Sequence, residues 1–268
     1  MARPLTPRPP RARRLAAATL CLALVGVLGF AQMRRPRLLS DGQVNRIKQQ
    51  EMRPADDHLR FRFTDDVLRQ FPQTQPDLDV RDFRRLSPME QALTLLRRGT
   101  RAERESVVVR GDPAALRAWR EDVQPVVLRG CATSNCHGPR DPALAYGFYL
   151  RPKPKTANEH YTNFYALTSY DRRAEDREDE LFKRDRERMI DRQRPSDSLL
   201  LQYALPPEVA DVPHPPVPGQ GYRGAFRGED DDRYQMVGRW IESLKPMMAG
   251  YDVDFEPEGR LPEPPDQP

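Results

Sequence analysis

Leu128-Arg129-Gly130-Cys131-Ala132-Thr133-Ser134-Asn135-Cys136-His137-Gly138-Pro139 is the stretch on which the fold turns. It reads C-x4-C-H. Two thiols followed at once by an imidazole suit covalent attachment of a haem c: each sulfur adds to one vinyl group, and the adjacent histidine, His137, lies beneath the iron as an axial ligand. The usual spacing is C-x-x-C-H. Two extra residues have to bulge from the loop, and Ala132, Thr133, Ser134 and Asn135 are small and turn-tolerant enough to do so. Three other uses of the pair stay open at this point. A Cys131–Cys136 disulfide is easy in an oxidising compartment. A zinc site would need two further ligands, such as His137 and His214. A redox-active thiol pair normally has C-x-x-C spacing on a thioredoxin-like pattern, which is absent.

Working outward, Asp112-Pro113 reads as a cap followed by proline, opening a helix whose Leu116, Trp119, Val123 and Val126 or Val127 recur at three- and four-residue intervals. Pro125 is expected to kink it, and its C-terminal end delivers the cysteines. On the other side, Tyr146 to Leu150 reads as a short extended segment, and Asp171 to Arg194 as a solvated stretch of mixed charge. Pro195-Ser196-Asp197-Ser198 caps a run with Leu199, Leu200, Leu201 and Tyr203. A proline-rich loop from Pro206 to Pro218 carries His214. The last helix is expected over Asp232 to Lys245, with Tyr234, Val237, Trp240, Ile241 and Leu244 on one face. Residues 251–268 are acidic and proline-rich and read as a disordered tail.

Upstream, Ser40-Asp41 caps a short helix with Val44 and Ile47, Leu59 to Phe63 alternates like a strand, and a helix follows Thr64 with Val67, Leu68 and Phe71. Gln70 to Asp82 reads as loop. Ser87-Pro88-Met89-Glu90 is a capping box that should bury Met89, Leu93 and Leu96, and Val107-Val108-Val109 fits a short strand. The fold class is therefore mainly α, with a helical (α+β) region over 38–110 and the cysteine-bearing domain over 111–250.

The 268 residues carry 44 Lys+Arg and 40 Asp+Glu. Eight of the arginines fall in residues 1–37, which hold no acid, leaving 36 bases against 40 acids from Leu38 onward. With both signs interspersed, there is no clustered basic face for nucleic acid. The uncharged run Leu15 to Met33 is long enough, at about 1.5 Å per residue, to cross a bilayer core as a helix. Five arginines precede it, so an uncleaved single-pass anchor with the body exported is expected. A cleaved signal peptide, ending near Gly29-Phe30-Ala31, is the competing possibility. Cys21 falls inside this run as a small apolar residue.

Gly219-Gln220-Gly221-Tyr222-Arg223-Gly224 matches a dinucleotide fingerprint by spacing, but no strand precedes it and an acidic run follows, so no nucleotide site is expected. No nucleophile elbow, zinc-protease or P-loop pattern occurs.

Taken together, the helix, the GCATSNCHGP segment, PSDSLLLQYALP, the proline loop and DDRYQMVGRWIESL resemble the monohaem c-type cytochrome domains of planctomycete type over about Asp112 to Lys245. The cysteine spacing is longer than the family's, and its M-P-P position here reads Pro213-His214-Pro215-Pro216. The resemblance implies a cytochrome c-like domain with one covalent haem c on Cys131 and Cys136, His137 as proximal ligand and His214 as distal ligand. Met236, Met247, Met248 or no residue are the alternatives for that sixth position. It also implies packing of Trp119, Val123, Tyr234, Trp240 and Ile241 between the two long helices, with Trp and Tyr available to the haem propionates. His58 and His160 are expected to be ordinary histidines. The implied role is single-electron transfer in the periplasm from an inner-membrane tether, to a redox protein or respiratory membrane complex, as a carrier rather than an enzyme with its own substrate. The alternative from another class is a non-catalytic exported scaffold closed by a disulfide or zinc.

Overall fold

The computed structural model describes residues 36–145, 147–172, 187–216, 221–246 and 250–259. They form a mainly helical body with two small two-stranded sheets. The run Leu15 to Met33 lies outside them, and among the described residues no helix is long and apolar enough to cross a membrane.

Helix α1 (Asp41–Glu51) starts at Ser40, whose hydroxyl and the Gln43 side chain make the reciprocal bonds of a capping box. Strand β1 (Arg60–Arg62) pairs antiparallel with β2 (Val108–Arg110), Phe61 facing Val109. Between them lie α2 (Asp65–Gln70), a 3-10 turn at Phe71–Thr74, α3 (Val80–Arg85), α4 (Pro88–Arg98) and α5 (Arg101–Glu105). The expected capping box opens α4, but the centre of its buried face is Ala92 and Leu95. Met89, Leu93 and Leu96 flank it, partly exposed.

The long helix into the cysteines is a composite. Helix α6 (Ala114–Ala118) runs into a π turn at Trp119–Val123 and then α7 (Gln124–Cys131). Pro125 explains the π turn. It has no N–H to donate, and its ring would collide with the carbonyl four residues back. The backbone widens instead, and Gln124 N–H bonds the carbonyl of Trp119, five residues back. Asp112 is not the cap expected of it. A remote carboxylate, Asp56, accepts from Ala114 N–H at 2.9 Å, while the Asp112 carboxylate meets Lys48 at 2.9 Å, Arg120 at 2.6 Å and the Tyr161 hydroxyl at 2.9 Å.

Beyond the cysteines come α8 (Ala157–Ser169), a two-residue ladder of β3 (Asp171–Arg172) with β4 (Glu187–Arg188), α9 (Leu199–Ala204) and α10 (Asp232–Ser243). The main core joins α1, the composite helix and α8 to α10. It contains Leu39, Val44, Ile47, Trp119, Phe164, Leu199 and Trp240, so α1 belongs with the C-terminal elements. A second cluster, from Met52 to Val109, is built by the elements between α1 and α6.

The acidic end is not loose as far as Gly259. Tyr251 is buried, and the following residues form an extended strap bonded to α1, α8 and Tyr149. The charged stretch is likewise not solvated at its far end: Arg192 donates to Glu51, whose side chain has 0% exposure, at 2.7 Å. Glu51 also accepts from the Tyr251 hydroxyl at 2.6 Å and from Lys245 N–H at 3.0 Å. This cluster joins the end of α1 to two segments far away in sequence. Removing one member leaves buried charge uncompensated, at a cost of about 3–5 kcal/mol. Glu51→Ala should lower the unfolding free energy by that amount in a urea titration, and a loss under 1 kcal/mol would refute the arrangement.

Burial raises the Asp112 carboxyl, but Lys48, the Tyr161 hydroxyl and Arg120 outweigh it, so the group lies below the ordinary carboxylate range. A carboxyl with a lower pKa folded than unfolded adds stability above its unfolded value of about 4, and that stability is lost as the pH falls through the lowered value. Asp112→Asn should therefore cost most near neutral pH, and the gap to the parent should shrink in urea titrations toward pH 2. A pH-independent gap contradicts the pairing.

Candidate functional site

Helix α7 ends at Cys131, and the chain doubles back through a compact loop. Cys136 N–H and Gly138 N–H donate to the Thr133 carbonyl at 3.1 and 3.0 Å, and His137 N–H donates to the Cys131 carbonyl at 3.1 Å. That last bond satisfies a carbonyl left open at the helix end and sets His137 beneath it. Thr133, Ser134 and Asn135 bulge into solvent as expected. Ala132 does not, being 5% exposed and part of the core. Gly138 is required for close approach: a Cβ there would lie 2.3 Å from the Ala132 carbonyl oxygen.

Cys131, Cys136, His137 and His214 all line one cleft, open in part to solvent. Its apolar walls come from Phe148, Leu167, Met189 and Leu200, and its far side includes Tyr203 and Tyr222. Each histidine is held the same way. His137 Nδ1 lies 3.1 Å from the Phe148 carbonyl oxygen, and His214 Nδ1 lies 2.7 Å from that of Pro215. A carbonyl only accepts, so both Nδ1 atoms carry the proton and both lone pairs reside on Nε2, the tautomer a metal ligand needs. His137 stacks on Phe148 with centroids 4.2 Å apart and rings 6° from parallel, and His214 stacks on Tyr222 at 4.5 Å. Burial pushes the His214 pKa down, against the pull of its bond to Pro215, which favours the neutral, ligating ring.

The two imidazole centroids are 6.3 Å apart. Bond lengths of about 2 Å to a shared metal, added to the ring radius, put trans imidazole centroids roughly 6 Å apart. The 66° between the ring planes is no obstacle, because an axial imidazole turns about its metal bond. The cysteines are free thiols, and burial pushes the Cys131 thiol up to about 12, with Cys136 adding to the effect. Among the described residues no three His, Cys, Asp or Glu side chains converge as a metal-holding group, which a structural zinc would require. Two thiols and two imidazoles lining one cleft are a donor set of the kind that covalent haem attachment uses.

The remaining candidates are elsewhere. His58 Nε2 bonds the Asp112 carbonyl at 2.9 Å, and His160 bonds Gln124. Met236 packs against the core from α10 and is absent from the cleft's described lining. Met247 and Met248 lie outside the described residues, as do Gly219 and Gln220 of the glycine pattern. The tryptophans pack as expected, Trp119 on Trp240 at 5.2 Å, but their N–H groups are not available to a propionate. Trp240 donates to the Ala115 carbonyl at 3.0 Å and Trp119 to that of His160 at 3.2 Å.

Phe148, Met189 and Tyr222 were not foreseen as site residues. Phe148 acts through its carbonyl and ring, and Met189 is fixed by Met189 N–H to the Tyr170 carbonyl and Leu200 N–H to the Met189 carbonyl, at 3.0 and 3.1 Å. An apolar Met189-Ile190 pair inside a charged stretch was the available signal for the second. The strap reaches the site as well, because Tyr149 N–H donates to the Glu258 carbonyl at 2.6 Å, beside Phe148.

Comparison with protein-family models, with curated proteins and with solved structures returns no match for this chain. A methyl group at residue 138 must displace the loop that carries His137. Gly138→Ala should cost about 1–3 kcal/mol of stability, as overpacking does, and shift the His137 ring resonances in an NMR spectrum. Parent-like stability and spectra would mean the loop is not held as described.

Proposed function

We propose that the body is a c-type cytochrome-like electron-transfer domain in which Cys131 and Cys136 hold one haem c through thioethers, His137 is the proximal ligand and His214 the distal one. One observation carries this: in the cleft that both cysteines line, two imidazoles stand 6.3 Å apart, each with its Nδ1 proton given to a backbone carbonyl. The iron supplies a one-electron couple when bound, and bis-histidine ligation sets its potential below that of a Met/His site. The protein's own part is to hold and orient. The Phe148 and Pro215 carbonyls fix the two rings and raise their basicity, while Leu167, Met189 and Leu200 give the cleft an apolar wall.

The larger setting belongs to the same proposal. The uncharged run behind five arginines tethers the domain to the inner membrane, with the body in the periplasm, where a redox protein or respiratory membrane complex exchanges electrons with it. Such a domain is an electron carrier without a substrate of its own.

Protein matured in a host competent for haem c attachment should retain a haemochrome spectrum in alkaline pyridine after denaturation and acid-acetone extraction. A colourless polypeptide would end the assignment. In the reduced protein, His214→Ala should open the sixth position to carbon monoxide while the parent resists the gas. Equal binding by both removes His214 as a ligand and leaves the rest standing.

A further inference from the structure

A second groove lies away from the cleft and shares none of its described lining residues. It holds about 500 Å³, open to solvent, and is lined by α1, α4, α5 and the segment after α10. Its apolar floor includes Leu93 and Leu96, the two leucines that the packing of α4 leaves partly exposed. Its rim is basic. The two acids there are already taken up: Glu105 by Arg46 at 2.6 Å and Arg101 at 2.9 Å, and Asp252 by Arg46 at 3.0 Å. Three cations are left over. Arg97 donates to the Leu93 carbonyl, Arg104 to the Gly99 carbonyl and Lys245 to the Met52 carbonyl, and none makes an ion pair among the described residues.

The geometry points to a docking groove for an acidic segment of a partner protein, one that lays aliphatic or aromatic side chains on Leu93 and Leu96 and sets carboxylates against Arg97, Arg104 and Lys245. Charge singles out this partner. From Leu38 onward the chain has four more acids than bases, yet this groove carries three uncompensated positive charges. An acidic segment is thus attracted here and repelled by much of the remaining surface, which gives orientation and register more than raw affinity. An open trough lined by three helices suits extended chain. The inference does not rest on the haem assignment.

The test uses the full chain, with or without cofactor, and fluorescence anisotropy of a labelled short peptide of alternating glutamate and leucine. Saturable binding is expected, about tenfold weaker in Arg97→Glu/Arg104→Glu and falling with added salt. Leu93→Ser should weaken it too. Polyglutamate, lacking the apolar contacts, should bind about tenfold less well, and a lysine–leucine peptide not at all. Arg97→Glu alone serves if the double variant unfolds. Undiminished binding to the charge-reversed chain, equal binding of polyglutamate, or displacement of the peptide by equimolar inorganic phosphate would overturn the inference, the last by marking a small-anion site.

Discussion

Two indoles set the frame within which the site exists. Trp240 reaches from α10 to donate to the Ala115 carbonyl, Trp119 donates to the His160 carbonyl, and the two rings pack on each other and on Phe164. Large aromatic surfaces bring most of the burial energy, and the N–H bonds restrict how the surfaces can meet. The contact falls on the π turn, where Pro125 has forced the backbone wide. Final helix, bulged helix and α8 are thereby locked as one unit. The last turn of α7 is then presented at a fixed position, from which Cys131 and the returning loop are hung.

Much of this frame was legible in the sequence because its signals are local. Apolar residues at three- and four-residue spacing marked the helix before the cysteines and α10, and cap residues marked α1 and α4. Less visible were elements whose signals compete with surrounding polarity. Helix α8 escaped notice, although Thr156 and Glu159 form a capping box and Tyr161, Phe164 and Leu167 follow at helical intervals. Asp79, a side-chain cap before α3, lies in the stretch read as loop, and the Thr100–Glu103 capping box before α5 went unread. Asp112 shows a different limit. Its position before Pro113 fits a cap, but Lys48 and the Tyr161 hydroxyl from distant segments, with Arg120 from the π turn, outbid a local backbone bond.

The site divides along the same line. Cys131, Cys136, His137 and His214 were chosen from spacing and resemblance, and all four line one cleft. The groups that hold the two rings were not, because they are backbone carbonyls, and a carbonyl has no residue type to search for. Phe148 contributes more through its oxygen than through its identity. The indoles show the converse: their side-chain chemistry suggested a polar partner in the site, and the fold gave that bond to its own backbone.

The strap from Asp252 to Gly259 makes the cleft depend on a remote segment. Its Glu258 carbonyl fastens Tyr149, next to the residue that orients His137, and Gly259 touches the Phe148 backbone so closely that a Cβ there would sit 2.6 Å from its Cα. One wall of the cleft therefore leans on backbone more than a hundred residues away in sequence. A chain clipped before Glu258 loses that buttress, so a cut remote from the cysteines would loosen the segment that orients His137.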